Sequence, residues 1–413
     1  MKPDPASGRR LAPRYFLALF CPLVAGYFIS FFFRYVNAVI SADLTREFAL
    51  SASHLAFLTS AYFLVFGLAQ LPLGLALDRF GPRRVVGSLM ILTSAGALVF
   101  SLADGFATLS IGRALIGLGV SGCLMGALKA FRVWVPGDRL ATVIGVYVMI
   151  GGLGGIAATA PTEALLGPIG WRGVFYLCSA LSLAVAIAIF VVMPESPRGR
   201  SSEGLSELIA GFGTIFGSWS FWRLVLPLIA VAAPYTALQG LWFGPWLRDV
   251  GGFSRGEAAN LLLASAFVYF LTTGALGAIS DRMAALGVSQ SAVFRGGAAV
   301  ALAILLVLAL GGEVSPRALV LAYALAITTT SLAIPELAKA YPAELAGRAS
   351  TAQNMLAFLS IFAYQWAFGV LLGLFPAVDG RYAAEGYRAA LLACAALHAL
   401  SLSCFLPLRR RAR

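Results

Sequence analysis

The sequence GLALDRFGPRR occupies Gly74–Arg84 and joins two long apolar runs. A turn of related pattern, GAISDRMAALG, occupies Gly277–Gly287, so the Asp-Arg pairs that begin at Asp78 and Asp281 lie 203 residues apart in a chain of 413. A charged turn that recurs at about half the chain length indicates two parallel structural repeats. The sequence therefore predicts two halves of the same topology, each with a short polar turn between apolar segments.

The composition is that of a membrane protein. Apolar residues make up 60% of the chain and charged residues 12%, against about 45–50% and about 25% in soluble domains. So few charges exclude a soluble globular protein, a disordered chain, a nucleic-acid-binding protein and a secreted disulfide scaffold. The five cysteines lie inside apolar runs without metal-ligand spacing, and the chain has no phosphate-binding loop. We therefore expect free thiols, no metal, no cofactor and no enzymatic activity.

Twelve apolar segments are each long enough to cross a bilayer, which takes about 20 residues in a helix. Their continuous rather than alternating apolar character predicts helices, and hence an all-α polytopic membrane protein with twelve transmembrane helices. The predicted spans are Tyr15–Ile40, His54–Leu77, Val85–Ala103, Phe106–Leu128, Leu140–Leu166, Arg172–Met193, Trp222–Leu247, Ala258–Ile279, Ala292–Gly311, Arg317–Ala338, Ser350–Phe375 and Gly386–Leu406. The predicted division is a six-helix bundle over 1–193, a cytoplasmic linker over 194–221 and a second bundle over 222–413.

The basic residues predict the orientation in the membrane. With the N-terminus inside, the inner segments carry 21 Lys and Arg and the outer loops carry 7, while Arg34 and Arg113 fall within spans. Inner loops are enriched in basic residues, so we expect both termini to be cytoplasmic and the membrane to be a bacterial inner membrane. The net charge of +12 is explained by these loops and needs no nucleic acid as partner.

Several motifs in order resemble those of the major facilitator superfamily. They are GLALDRFGPRR between spans 2 and 3, GRALIGLG at Gly112–Gly119, GWRGVF at Gly170–Phe175 and PESPR after span 6. The resemblance implies two pseudo-symmetric six-helix bundles around a central site that opens to each side in turn, and it favours a monomer. It also implies that the charged turns latch one conformation, although the alternative of a solvated loop that sets topology stays open. The residues of this predicted latch are Asp78, Arg79, Arg83, Arg84, Asp281 and Arg282.

Arg34 is the leading candidate for a substrate contact. It interrupts the apolar run YFISFFFRYVNAVI with no acidic residue nearby, and a charge inside a span is costly enough to suggest function. Tyr27 and Asn37 share its helix face. A guanidinium matches carboxylate or phosphate, and span 1 is similar to that of the organophosphate and sugar-acid porters, where an Arg at this position contacts an anion. The alternative is an arginine that snorkels to the outer interface.

Three further charged residues are candidates in the first half. Lys129 lies near the inner end of span 4, where anion-transporting relatives place a basic residue, and the alternative is a lysine that snorkels. The resemblance gives Arg113 a structural role in the first bundle, and in some relatives a link to proton coupling. Glu163, near the outer end of span 5, is the best-placed acid for proton coupling.

The second half lacks the second arginine of the phosphate porters, and its span 7 reads PYTALQGLWFGPWL. One carboxylate or a mostly neutral solute therefore fits better than a doubly charged phosphate. Amide and aromatic side chains at helical spacing complete the predicted site, although buried amides more often bridge helices. The candidates in this half are Tyr235, Gln239, Trp242, Asn354 and Gln365.

These observations lead to a hypothesis with two rivals. The chain is expected to be a secondary transporter that moves a small carboxylate-bearing anion by alternating access. We also expect coupling to protons. The first rival is an efflux pump for a drug-like molecule or metabolite, although the proline of span 5 falls in TAPTE rather than before the glycine pair of the exporter signature. The second rival is a transporter-like ligand sensor.

Overall fold

The computed structural model describes residues 13–195, 205–312, 314–333, 336–337, 340–377 and 381–405, and these are almost entirely helical. The helices of the first half and the linker are α1 (Pro13–Tyr35), α2 (Asn37–Phe48), α3 (Ala52–Ser101), α4 (Phe106–Val120), α5 (Cys123–Trp134), α6 (Gly137–Ala157), α7 (Ala160–Val192) and α8 (Leu205–Phe216). Those of the second half are α9 (Trp219–Ala237), α10 (Phe243–Asp249), α11 (Arg255–Ala285), α12 (Gln290–Leu310), α13 (Pro316–Ile327), α14 (Ala343–Leu372) and α15 (Ala384–Leu402).

These helices confirm the predicted all-α membrane class. Within the described residues, eight helices are long and apolar enough to cross a membrane, and two shorter apolar helices cover Thr142–Ala157 and Pro316–Leu332. The longest, α3, covers both predicted spans 2 and 3. Within it the chain turns between the two spans at Gly81, whose φ is 78°. Only glycine adopts such a positive φ without strain. The charged turn is therefore built where the motif predicts it.

Spans 1, 5 and 7 are each made of more than one helix. Span 1 consists of α1 and α2, and α2 continues past Ile40 to Phe48. Span 5 breaks at Ala158 and Thr159 before α7 begins at Ala160, with Pro161 in its first turn. Span 7 consists of α9, a π-helical segment over Leu238–Trp242, and α10. A π segment widens the helix, and such segments are frequent at functional sites.

The linker contains the helix α8. Phe212 and Ile215 on this helix are buried against Ala349 and Ala352 of α14. The polar sequence PESPRGRSSEGLSE at 194–207 favours a loop, but the helix begins at Leu205, within its last three residues, and continues into the apolar stretch that follows. The predicted boundaries at 193 and 222 stay a prediction.

The two halves touch along α3 and α14. Near the middle, the rings of Phe66 and Phe358 stack with centroids 3.9 Å apart. One turn further along α3, the Asn354 Nδ2 donates to Gln70 Oε1 over 3.2 Å. We call the end of the helices that carries Asp43 and Arg255 the outer end, because the distribution of basic residues predicts that it faces away from the cytoplasm.

Glycines let the helix backbones approach closely. A Cβ atom on Gly154 of α6 would overlap the carbonyl oxygen of Phe28 in α1, and one on Gly117 of α4 would overlap that of Tyr62 in α3. In lipid the hydrophobic effect does not drive helices together, so close packing of small residues takes its place. These contacts set the spacing of the first bundle.

We predict that Gly154→Ala lowers the melting temperature in detergent, because its methyl group displaces the α1 backbone. Overpacking of this kind costs about 1–3 kcal/mol. The matched control is Gly145→Ala on the same helix, where nothing lies within 4 Å of the added Cβ. Equal melting temperatures for the two variants would contradict the packing described here.

Candidate binding site between the two halves

The structure places the Arg34 side chain between the two halves. Its guanidinium carbon lies 4.5 Å from the ring centroid of Phe31 in α1 and 5.0 Å from that of Phe358 in α14. The ring of Phe66 in α3 is 5.9 Å away. These three rings form an aromatic cage to which both halves contribute, and an arginine over aromatic faces gains cation–π stabilisation.

Arg34 has no acidic partner in the described part of the chain. None of the ion pairs found there within 4 Å includes Arg34. Its Nε is buried and lacks a hydrogen-bond partner. Burial of a charge without a counter-ion is costly, and cation–π contacts offset only part of that cost. The arrangement is therefore suited to an anionic guest that supplies a counter-charge and an acceptor for Nε.

Arg113 is a second cation of the first half and lies in α4. It is fully buried, its Nη1 donates to the carbonyl oxygen of Phe33 over 3.0 Å, and its guanidinium carbon lies 5.2 Å from the ring centroid of Tyr62. The Tyr62 hydroxyl in turn donates to the Ser30 carbonyl oxygen. Arg113 thus ties α4 to the backbone of α1 one residue before Arg34, which fits the structural role implied for it.

Three amide side chains near Arg34 have unmet hydrogen-bonding capacity. Gln365 is fully buried and neither amide atom has a partner. The Oε1 of Gln239 and the Oδ1 of Asn37 also lack partners, although their nitrogens donate to Leu262 O and Thr59 Oγ1. Buried polar groups are nearly always paired with protein, water or ligand. These amides therefore offer acceptors and donors to a bound solute or to water.

The π segment brings these groups together. A Cβ on Gly240 would lie 3.3 Å from the backbone oxygen of Arg34 and 3.8 Å from Gln365 Nε2. One turn further, a Cβ on Gly244 would lie 2.5 Å from the backbone oxygen of Ala38. Two glycines thus let the backbone of span 7 touch the backbone of span 1. Gln365 of α14 lies against the same contact.

The aromatic candidates pack within their own halves. Tyr27 stacks on Tyr147 with centroids 4.8 Å apart. The Tyr235 hydroxyl hydrogen-bonds the Ser265 hydroxyl over 3.1 Å, and Trp242 Nε1 donates to the Gln365 carbonyl oxygen over 3.1 Å. The polar atoms of Tyr235 and Trp242 are therefore already engaged. Asn354, which pairs with Gln70, bridges helices in the way that the alternative interpretation expected.

Lys129 lies at the inner end of span 4, where the sequence predicts it. Its ammonium forms an ion pair with Asp78 in the charged turn. In the same turn, Arg83 and Arg84 lie 3.6 Å from Glu195, and Arg83 also donates to the Phe190 carbonyl oxygen. The charge of Lys129 therefore has a partner in the turn, and its assignment to the substrate site stays a prediction.

The remaining residues of the predicted latch are Arg79, Arg282 and Asp281. Arg79 lies over the ring of Phe80, with its guanidinium carbon 5.4 Å from the centroid. In the second half, Arg282 is exposed, and the side chain of Asp281 lies outside the part that the structure describes. The latch role of both turns stays a prediction.

Glu163 belongs to an ion-pair cluster at the outer end. Arg255 Nε of α11 lies 2.7 Å from Glu163 Oε1, and Arg255 Nη1 donates to Asp43 Oδ1 over 3.0 Å. Glu163 and Asp43 belong to the first half and Arg255 to the second, so this cluster holds the halves together. Sequence reasoning missed Asp43 and Arg255, because each stands alone in an outer loop and only the fold makes them neighbours.

We predict that Gln365→Met raises the stability of the protein by about 1–3 kcal/mol, because it removes two buried polar atoms without partners while keeping their volume. The matched control is Asn354→Leu, which removes a paired amide, leaves Gln70 without its partner and lowers stability. Thermal unfolding in detergent measures both. A Gln365→Met variant as unstable as Asn354→Leu would show that the Gln365 amide is satisfied in solution.

Known proteins resemble this chain in sequence and in fold. Residues 23–365 match the family model described as Major Facilitator Superfamily. Among similar proteins, a probable sulfoacetate transporter of Cupriavidus necator is 27% identical over 183 residues, which is 44% of this chain and 42% of the relative. A galacturonate transporter of Dickeya chrysanthemi is 22% identical, over 54% of this chain and 70% of the relative. The chain spans about half the length of most of the curated relatives it matches.

Solved structures share the fold over nearly the whole chain. A bacterial homologue of the human lysosomal transporter Spinster, in an inward-facing and unoccupied conformation, superimposes with a TM-score of 0.75 at 19% identity. The match covers 95% of this chain and 97% of that one. A D-xylose-proton symporter gives the same TM-score at 14% identity. At these identities the likeness establishes the fold alone.

Proposed function

The chain belongs to the Major Facilitator Superfamily, and on that premise we propose that this transporter carries a small organic anion with one carboxylate or sulfonate group. The observation that supports the proposal is Arg34, which lies between the two halves without an acidic partner among the described residues. The names of several relatives agree, since they include transporters of sulfoacetate, L-galactonate and galacturonate.

The proposed binding mode follows from the chemistry of the cage. The guanidinium donates two parallel hydrogen bonds to a carboxylate or sulfonate. The unmet amides of Gln365, Gln239 and Asn37 then serve the hydroxyl or carbonyl groups of the anion's body. Since Phe358 belongs to the second half and Phe31 to the first, a rocking motion that separates the halves opens the cage. The anion is released from Arg34 on the side that opens.

Export is the second candidate direction. Relatives of the chain also include an efflux pump of Hypomyces subiculosus, 31% identical over 176 residues. Import and export use the same site and differ in the gradient that drives them. The proposed orientation, with both termini in the cytoplasm of a bacterium, follows from the distribution of basic residues.

The test is uptake into proteoliposomes that contain the purified full-length protein. The panel holds sulfoacetate, galacturonate, galactonate, simple monocarboxylates, neutral amino acids and a lipophilic cation, each with and without a pH gradient. We expect saturable transport of one class of organic anion. Expulsion of the lipophilic cation without transport of any anion would favour the efflux pump and overturn the proposal.

We predict that Arg34→Gln weakens the affinity for the transported anion about 100-fold, because a charge-assisted bidentate pair is worth about 3 kcal/mol. Arg34→Lys keeps the charge but loses the planar fork, so it recovers part of the affinity. The control is Arg317→Gln, which removes an exposed arginine at the outer end that pairs with the exposed Glu257. Unchanged affinity in Arg34→Gln would remove Arg34 from the site.

Proton coupling is proposed to use Glu163. When the outer end opens, the halves separate and the Glu163–Arg255 ion pair breaks, so the carboxylate becomes exposed to the outer solution. We predict that Glu163→Gln abolishes the stimulation of uptake by an inward proton gradient but leaves anion exchange intact. Asp43→Asn, which removes the other partner of Arg255, keeps the response to the gradient. A full response in Glu163→Gln would exclude Glu163 as the coupling group.

A further inference from the structure

A cavity of about 750 Å³ opens at the outer end of the molecule, between α2, α10, the start of α11 and the segment before α15. We call it the outer vestibule. Four arginines line it, and Asp249 is the one acidic side chain that the described part of the chain contributes to the lining. The four are Arg46, Arg248, Arg255 and Arg381.

This concentration of arginines is unexpected at an outer surface. Outer loops of membrane proteins carry few basic residues, and the predicted outer loops of this chain carry seven. Four of those seven line one cavity. Topology does not require such a cluster, since scattered positions would serve orientation equally well.

Three of the four arginines are available to a ligand. Arg255 is neutralised by Asp43 and Glu163. Arg46, Arg248 and Arg381 form no ion pair within 4 Å with any described residue, although the charges of Arg248 and Arg381 act on the nearby Asp249 carboxylate. Arg248 Nε donates to Gly244 O of its own helix. Arg46 and Arg381 are exposed. A carboxylate or sulfonate in the vestibule can therefore take up several guanidinium donors at once.

Two further polar groups of the lining are the Asp249 carboxylate and the Tyr382 hydroxyl. The Asp249 carboxylate is already engaged, because its Oδ2 accepts hydrogen bonds from the Tyr387 hydroxyl over 2.8 Å and the Tyr382 backbone nitrogen over 3.2 Å. The Tyr382 hydroxyl is buried in the lining without a partner. The volume lies within the range of small-molecule sites, about 300–1,000 Å³.

The vestibule is separate from the Arg34 cage. Arg46 follows Arg34 by 12 residues along span 1, which corresponds to about 18 Å of helix. Between them, the backbone of α2 meets α10 at Ala38 and Gly244. We propose that the outer vestibule is a second anion-binding site, in series with Arg34, where the organic anion is held on the outer side of this contact. Its identification as the transported anion rests on the proposed function, whereas anion binding in the vestibule does not.

The test measures binding to the vestibule alone. The full-length Arg34→Gln protein, in detergent, is titrated with trifluoroacetate, and the broadening of its fluorine NMR signal reports binding. We expect saturable binding that is about tenfold weaker or more after Arg46→Gln, Arg248→Gln and Arg381→Gln are added together, because charge-assisted hydrogen bonds are lost. Neutral trifluoroacetamide shows no binding.

Two controls keep the test decisive. Arg388→Gln removes an exposed outer arginine that does not line the vestibule, and it leaves the affinity unchanged. A variant with only Arg46→Gln and Arg381→Gln changes exposed side chains that pack against little, so its loss of affinity is not attributable to unfolding. Equal affinity before and after the triple substitution overturns the proposal, whatever the uptake experiments show.

A lipid phosphate offers the same chemistry as a soluble anion. Short-chain phosphatidylglycerol is therefore added to the Arg34→Gln protein with trifluoroacetate bound. We expect displacement only at lipid concentrations far above those of the soluble anion. Displacement at lower concentrations identifies the vestibule as a headgroup site and overturns the soluble anion as its occupant.

Discussion

The polar groups of this protein are positioned by helix backbones that touch at glycines. Within a bilayer the side chains gain little by leaving lipid for one another, so close contact between small residues determines where helices cross. Gly154 sets α6 against α1, and Gly240 and Gly244 set span 7 against span 1. The last two contacts decide what surrounds Arg34, because they fix the distance between the halves at the level of its backbone.

Around this framework, some charged side chains are matched by an oppositely charged partner. Others are unmatched, because they form no ion pair with a described residue. At the inner turn, Asp78 pairs with Lys129, and at the outer end Arg255 pairs with two carboxylates. Among the described residues, the arginines outside any ion pair include Arg34 and Arg113 in the middle and Arg46, Arg248 and Arg381 in the outer vestibule. A protein that moves between two arrangements must exchange its matched pairs, whereas its unmatched charges remain ready for a solute in both. This separation is the physical basis of the proposed anion pathway.

Much of the fold was predictable because it depends on local pattern. Apolar runs of sufficient length gave the spans, and Gly81 with its motif gave the turn between spans 2 and 3. The isolated charge at Arg34 was also visible, since no acid follows within a helical turn. The pairing of Lys129 with Asp78, and of Arg255 with Asp43 and Glu163, was not, because a pair 51 or more residues apart leaves no periodic trace. The helix α8 was missed because the polar stretch before it dominated the interpretation of the linker.

The π segment at Leu238–Trp242 has a consequence for chain length. A π turn holds one residue more than an α turn, and each residue of an α-helix turns the chain by about 100°. The outer part of span 7 is thus rotated relative to a continuous helix, and this rotation sets the direction in which Arg248 and Asp249 project. Deletion of one residue there would restore regular α-helical winding and rotate the outer part of span 7, so that Arg248 and Asp249 would project in a different direction. The number of residues in span 7 is therefore constrained by this geometry, as are Gly240 and Gly244 by their contacts with span 1.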